Sequence, residues 1–213
     1  LPGWLTSTRN PGRLLFLAGP WVAYCMVEIL NNNNPLHSLT AEQVTFNLLW
    51  YYLIFWTLRL ITGRVHTAGR AGAALCFAFG LANHYVLTFR GRIIFPCDLL
   101  CLGTAANVAS YYDYTPDRPV WTAVAILAAY ELLWALVKRI WPHPGRSRLR
   151  KRTVALSLAA MGAFLYVFLL TPLLPSVGIY VQQWKTQANG FLLNFTAAIR
   201  YSFVSRPDGY SAS

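Results

Sequence analysis

TVALSLAAMGAFLYVFLLTPLL, Thr153–Leu174, runs 22 residues without a charged side chain. A helix of about 20 predominantly apolar residues crosses the hydrocarbon core of a bilayer. Outward from this stretch, four more repeat the pattern: Leu14–Leu30, Val44–Ile61, Ala71–Phe89 and Trp121–Val137. The 213-residue chain is 56% hydrophobic and only 12% charged, whereas charged residues supply about a quarter of an ordinary soluble domain. The pattern predicts an all-α polytopic membrane protein with five transmembrane helices.

The formal net charge of +11 invites a nucleic-acid partner, but its distribution argues for a topology signal instead. Arg9 and Arg13 precede span one. Arg59, Arg64 and Arg70 surround the end of span two. Lys138, Arg139, Arg146, Arg148, Arg150, Lys151 and Arg152 follow span four. Twelve of the 18 basic residues thus fall on one side, and the loop Asn31–Ala41 has none. Cytoplasmic loops collect Lys and Arg, which predicts a cytoplasmic N-terminus and a C-terminus outside. Residues 1–175 then form the membrane domain, including an outer segment 90–118. Residues 176–213 form an extracellular amphipathic linker. The chain begins at Leu1 rather than Met, which points to a trimmed or incomplete amino terminus.

Local signals refine this scheme. Pro20 inside span one kinks a helix unless neighbours satisfy the carbonyl it frees. Gly63, Gly69 and Gly72 mark the inner turn. In the outer segment, Pro96 and Asp98 read as a helix start with Asp98 at the N-cap. Leu99, Leu102, Ala106 and Ala109 then recur at helical spacing. In the tail, Trp184, Ala188, Phe191, Phe195 and Ala198 mark one apolar face, interleaved with Gln183, Lys185, Gln187, Asn189 and Asn194. Both stretches read as short interfacial amphipathic helices on the outer surface.

Ionisable residues within a bilayer are costly and call for a functional hypothesis. Glu28, Asn83 and His84 lie in the outer halves of their spans, where they either bind a lipid headgroup or reach the interface. Glu131, deeper in span four, is read as pairing with the basic end of its own helix. Arg90, Arg92 and Asp98 sit at the outer surface. The two arginines either clamp a phosphate or anchor span three by snorkelling. No GxSxG, HExxH or Walker sequence is present. The outer acids and His37 show no metal-ligand spacing, and the four cysteines read as small packing residues. Two readings from other classes remain: a small lipid transporter or flippase, which needs polar residues converging near the midplane, and a non-catalytic membrane adaptor.

Two motifs carry a family resemblance. The first is Phe89-Arg90-Gly91, Pro96, Asp98-Leu99 and Thr104-Ala105-Ala106-Asn107-Val108-Ala109. The second is Asn189-Gly190-Phe191-Leu192-Leu193-Asn194-Phe195, Arg200-Tyr201, Pro207 and Gly209-Tyr210-Ser211. With Glu28 in span one and five spans in the same order, the chain resembles the membrane domain of the lipoteichoic acid synthase family. These are bacterial phosphoglycerol transferases with a sulfatase-like extracellular domain. The resemblance implies a cell-membrane location and phosphatidylglycerol and a glycolipid anchor as lipid partners. It also implies a catalytic threonine beside a divalent metal, usually Mn2+, in a domain that these residues do not include. No catalytic or metal residue carries over to this chain. Arg90, Arg92, Asp98, Glu28, Asn83 and His84 are the candidate headgroup contacts, and Trp184, Phe191 and Phe195 the candidate interfacial anchors.

Overall fold

A computed structural model describes residues 11–101, 103, 107, 111–140, 151–171, 173, 179 and 189–201. Its elements are α1 (Pro11–Leu30), α2 (Ala41–Thr62), α3 (Val65–Arg90), a 3-10 helix η1 (Pro96–Cys101), α4 (Arg118–Ile140), α5 (Lys151–Leu170) and α6 (Phe191–Tyr201). No strand occurs among the described residues. Helices α1 to α5 are each long and apolar enough to cross a membrane. At 1.5 Å rise per residue the shortest, 20 residues, spans about 30 Å.

Helix α1 is the axis of the bundle and packs against α2, α3 and α4. It continues through Pro20. A proline leaves the carbonyl four residues earlier without its amide, here that of Phe16. The hydroxyls of Tyr130 and Tyr52 donate to the flanking Leu15 and Leu17 carbonyls, at 3.1 and 3.0 Å. Neighbouring helices thus supply donors where the proline disturbs the ladder.

The α2–α3 turn is tighter than the sequence suggests. Gly63, in the left-handed region at φ 67°, closes α2 with its N–H on the Arg59 carbonyl, and α3 starts at Val65. Arg70, Gly69 and Gly72, expected in the turn, lie on helix α3 instead. The glycine at 69 is a packing residue. A Cβ there would sit 2.5 Å from Trp134 Cζ2, whose ring is fully buried. Arg70 also corrects the reading of Glu131: the carboxylate pairs across the α3–α4 contact with Arg70, not with the basic end of its own helix.

Helix α5 stands apart. Phe168 is its buried residue, while Leu156 and Leu170 are each 71% exposed. It joins the bundle through α6 and through Trp50, whose ring meets Phe164 and Phe168 at 5.2 and 5.0 Å. Its exposed apolar flank suits a hydrocarbon medium, where helix packing needs no hydrophobic drive.

Two interfacial expectations change. The start of η1 is Phe95–Pro96 rather than Asp98. Pro96 takes the first helical position, where its missing N–H costs nothing. Asp98, three residues after Phe95, reaches back to accept the Phe95 N–H at 2.8 Å, the return half of a capping box. Leu99 is 43% exposed, and Leu102, Ala106 and Ala109 lie outside the described residues. In the tail, Trp184 and Ala188 also lie outside them. Helix α6 is not a surface helix with one apolar stripe. Residues 191 to 198 are all buried, polar and apolar alike.

The Gly69 contact is testable. Gly69→Ala gains helix propensity of about 1 kcal/mol, yet should lower the thermal midpoint because overpacking typically costs about 1–3 kcal/mol. Adding Trp134→Leu to that variant should recover part of the loss in a detergent melt.

Candidate functional site

One end of the bundle carries Asn31–Asn34, η1 and the start of α6. There the sequence buries polar groups that hydropathy alone does not flag. Glu28, Asn31, Asn47 and Asn83 are fully buried, and Asn33, Asn189 and Asn194 are nearly so.

The centre of this network is the N-terminus of α6. The first N–H groups of a helix have no partner within it, and in a buried setting each unmatched one is costly. The Glu28 carboxyl of α1 accepts the Phe191 N–H at 2.8 Å. Asn47 Oδ1 of α2 accepts the Leu193 N–H at 3.0 Å. The Asn47 amide nitrogen donates to the carbonyls of Asn189 and Gln43, both at 2.8 Å. Gln43 Nε2 donates to Asn189 Oδ1 at 3.2 Å. Helix α6 therefore takes its caps from two other helices. The positive end of its dipole faces a carboxyl group, the favourable arrangement.

Gly190 makes that approach possible. It holds φ +77°, and a Cβ would lie 2.7 Å from Asn47 Nδ2 and 2.9 Å from Glu28 Oε1. Only glycine meets both the left-handed backbone and the missing space. The second Glu28 oxygen accepts from Asn33 Nδ2 at 2.6 Å, which fastens the loop after α1. Tyr24 holds the same loop through the Pro35 carbonyl at 2.9 Å.

Asn83 and His84 of α3 are connectors. Asn83 donates to Asn31 Oδ1 at 3.1 Å and accepts the Ile94 N–H at 3.0 Å. His84 Nδ1 meets the Leu30 carbonyl at 2.8 Å, and Nε2 meets Asp117 at 3.1 Å. Asp117 in turn caps α4 through the Val120 N–H at 3.2 Å. Glu28, Asn83 and His84 thus join one end of four helices. Their polar atoms are engaged by protein and turned away from solvent, which favours a structural over a headgroup-binding role for these three.

Arg90, Arg92 and Asp98 form a second cluster beside it. Arg92 grips Asp98 through two bonds of 2.8 Å, the planar fork matched to a carboxylate. Its guanidinium also lies 5.5 Å from the Phe95 ring centre. Arg90 touches Asp98 only at 3.5 Å and stays 44% exposed. The two arginines, read either as a phosphate clamp or as snorkelling anchors, are thus divided. Arg92 is occupied by Asp98, and Arg90 keeps donors for an anion from the surroundings.

Of the predicted site residues, the structure joins Arg90, Arg92 and Asp98 in one cluster and Glu28 with Phe191 in another, with Asn83 linking them through Ile94. Phe191 and Phe195 are buried, each against Phe79 with centroids 5.1 Å apart. Asn194, which with Phe195 and Thr196 matches a glycosylation triplet, is 1% exposed. Asn47, Asn33 and Asp117 were not singled out from the sequence. For Asn47 the signal available was an uncharged amide within the apolar span Val44–Ile61, whereas Asn33 and Asp117 lie outside the spans and offered none. Among the described residues, no three His, Cys, Asp or Glu side chains gather as a metal site requires. The chain matches no family model, no curated protein and no solved structure.

Two outcomes test this geometry. Glu28→Ala leaves the Phe191 and Asn33 donors without acceptors, at about 1–3 kcal/mol each. It should shift unfolding in an SDS titration markedly, and Glu28→Gln, which keeps an acceptor oxygen, should shift it less. The second concerns pH. The Arg92 bonds, then the Phe95 N–H and the charges of Arg92 and Arg90, hold the Asp98 carboxyl below its usual range, against the opposing effect of partial burial. Stability from a depressed carboxyl is present above its unfolded value of about 3.9 and is lost as pH falls through the lower folded value. Exchange protection of the Ile94, Phe95 and Asp98 amides, taken relative to the intrinsic rate at each pH, should therefore hold at neutral pH and fall only under strong acid, with Asp98→Asn abolishing that dependence.

Proposed function

We propose that this chain is the membrane domain of a phosphoglycerol transferase of the lipoteichoic acid synthase type. In this role it anchors an outward-facing sulfatase-like enzyme domain in a bacterial cell membrane. It also presents phosphatidylglycerol to that domain. The amino terminus faces the cytoplasm and the asparagine-bearing end faces out, as the basic loops favour.

One observation carries the reading. The two sequence motifs of the resemblance are about a hundred residues apart, yet α6 from the second packs on η1 from the first. Glu28, the third element of the resemblance, closes on α6 at Phe191. Residues picked for likeness to one family therefore converge on one structural unit, which a chance match gives no reason to expect. That unit holds the chain firmly just before residue 202. A segment leading to an enzyme domain gains from such an attachment, because it fixes where the domain starts relative to the lipid surface. Arg90, exposed beside this unit, supplies a cation for a lipid phosphate.

Reporter fusions at Ser213, combined with the parent reading frame beyond it, test the proposal. It predicts an extracytoplasmic reporter and a downstream sulfatase-like region with a threonine nucleophile. A cytoplasmic reporter, or a frame that stops without such a region, overturns it.

A further inference from the structure

Both nitrogens of the His84 ring point at acceptor oxygens. Nδ1 lies 2.8 Å from the Leu30 carbonyl, and Nε2 lies 3.1 Å from Asp117 Oδ2. A carbonyl has no hydrogen to give, and neither has an ionised carboxylate. A neutral imidazole carries one N–H and one bare nitrogen. In either tautomer, one of the two contacts would set a lone pair against an oxygen, at a side chain that is 2% exposed. Such a mismatch is costly where water cannot relieve it. Turning the ring over offers no escape, because it would put carbons against both oxygens. A ring with hydrogens on both nitrogens satisfies both contacts at once.

The surroundings favour placing the extra proton on the ring rather than on Asp117. Leu30 is the last residue of α1, so its carbonyl belongs to the negative end of that helix, where cations are stabilised. Asp117 is half-exposed, and its other oxygen accepts the Val120 N–H at 3.2 Å, both of which suit a carboxylate. The remaining ionisable groups at this end are engaged elsewhere or exposed. Glu28 of α1 holds Phe191 and Asn33, and Asp113 holds Thr115. The Tyr85 ring lies 5.5 Å from that of His84, but its hydroxyl donates to the Tyr114 carbonyl. Arg118, beside Asp117, is exposed.

We infer that His84 is an imidazolium, and that its second proton is a removable link tying α3 to the end of α1 and the start of α4. The exposure of Asp117 lets this proton exchange with water at the asparagine-bearing end. While it is bound, both contacts hold. When rising pH removes it, one contact becomes repulsive and the junction of three helices loosens. Stability from this link is thus present while the ring is charged and is lost as pH rises. The inference goes beyond the transferase reading and does not rest on it.

Nitrogen-15 NMR of histidine-labelled protein in nanodiscs tests it, with the His84 signals assigned by their absence in His84→Gln. At neutral pH both His84 nitrogens should carry hydrogens. Asp117→Asn supplies an N–H donor towards Nε2 and keeps an oxygen for Val120, so a neutral ring with its hydrogen on Nδ1 then meets both contacts. In that variant Nε2 should lose its hydrogen at the same pH. The SDS unfolding midpoint of the parent protein should fall as pH rises above neutral, and Asp117→Asn should remove that fall. A parent ring with a single hydrogen at neutral pH overturns the inference. So does a pH dependence of unfolding that Asp117→Asn leaves unchanged.

Discussion

The fold turns on how the N-terminus of α6 is satisfied. A short helix buried among apolar spans brings orphan N–H groups with it, and no water is at hand to meet them. Its own N-cap is Gly190, which has no side chain to offer. Glu28 and Asn47 supply the acceptors from two other helices. Once these bonds are fixed, the rest is constrained. Gly190 must be a glycine, the loop after α1 must bring Asn33 to the second Glu28 oxygen, and Phe191 must face Phe79.

The same logic organises the neighbouring segments. Each irregular stretch at this end is tied by a side chain from a regular helix: 93–95 by Asn83, the loop after α1 by Tyr24 and Glu28, and the start of α4 by His84 through Asp117. Backbone outside helices is tolerated at membrane depth only where protein meets its polar groups. The asparagine amides do this work without adding buried net charge. The charged pairs sit where exposure is greater, Arg92 with Asp98 and Arg70 with Glu131. Far from the asparagine-bearing end, packing is ring against small residue, as where Trp134 lies over Gly69.

The five spans were legible because hydropathy is a property of each segment alone. Thr153–Leu174 needs no neighbours to be read. The burial of α6 was not legible. Asn189, Asn194 and Thr196 interleave with apolar positions in a way that fits a water-facing side equally well. The partners of Asn189, namely Asn47 and Gln43, lie some 140 residues away in the chain. Asn47 escaped notice because a lone amide barely changes the hydropathy of a span. Gly69 and Gly72 were misread as turn residues, since glycine serves both for turns and for close helix contact, and only the position of Trp134 and Phe55 distinguishes the two. Glu131 was assigned to the nearest basic residues in sequence, whereas its partner belongs to another helix. Arg90, Arg92 and Asp98 were correctly grouped by proximity, but the bidentate geometry that commits Arg92 to Asp98 is visible only in three dimensions.

Residue-resolved hydrogen exchange of the Phe191 and Leu193 amides, in lipid nanodiscs at neutral pH, probes the docking of α6 most directly. If Glu28 and Asn47 hold them, both amides exchange as slowly as those in the middle of α1 and α3. Exchange at the rate of a frayed, solvent-facing helix end would contradict the account, because it would mean that these donors find their partners in water.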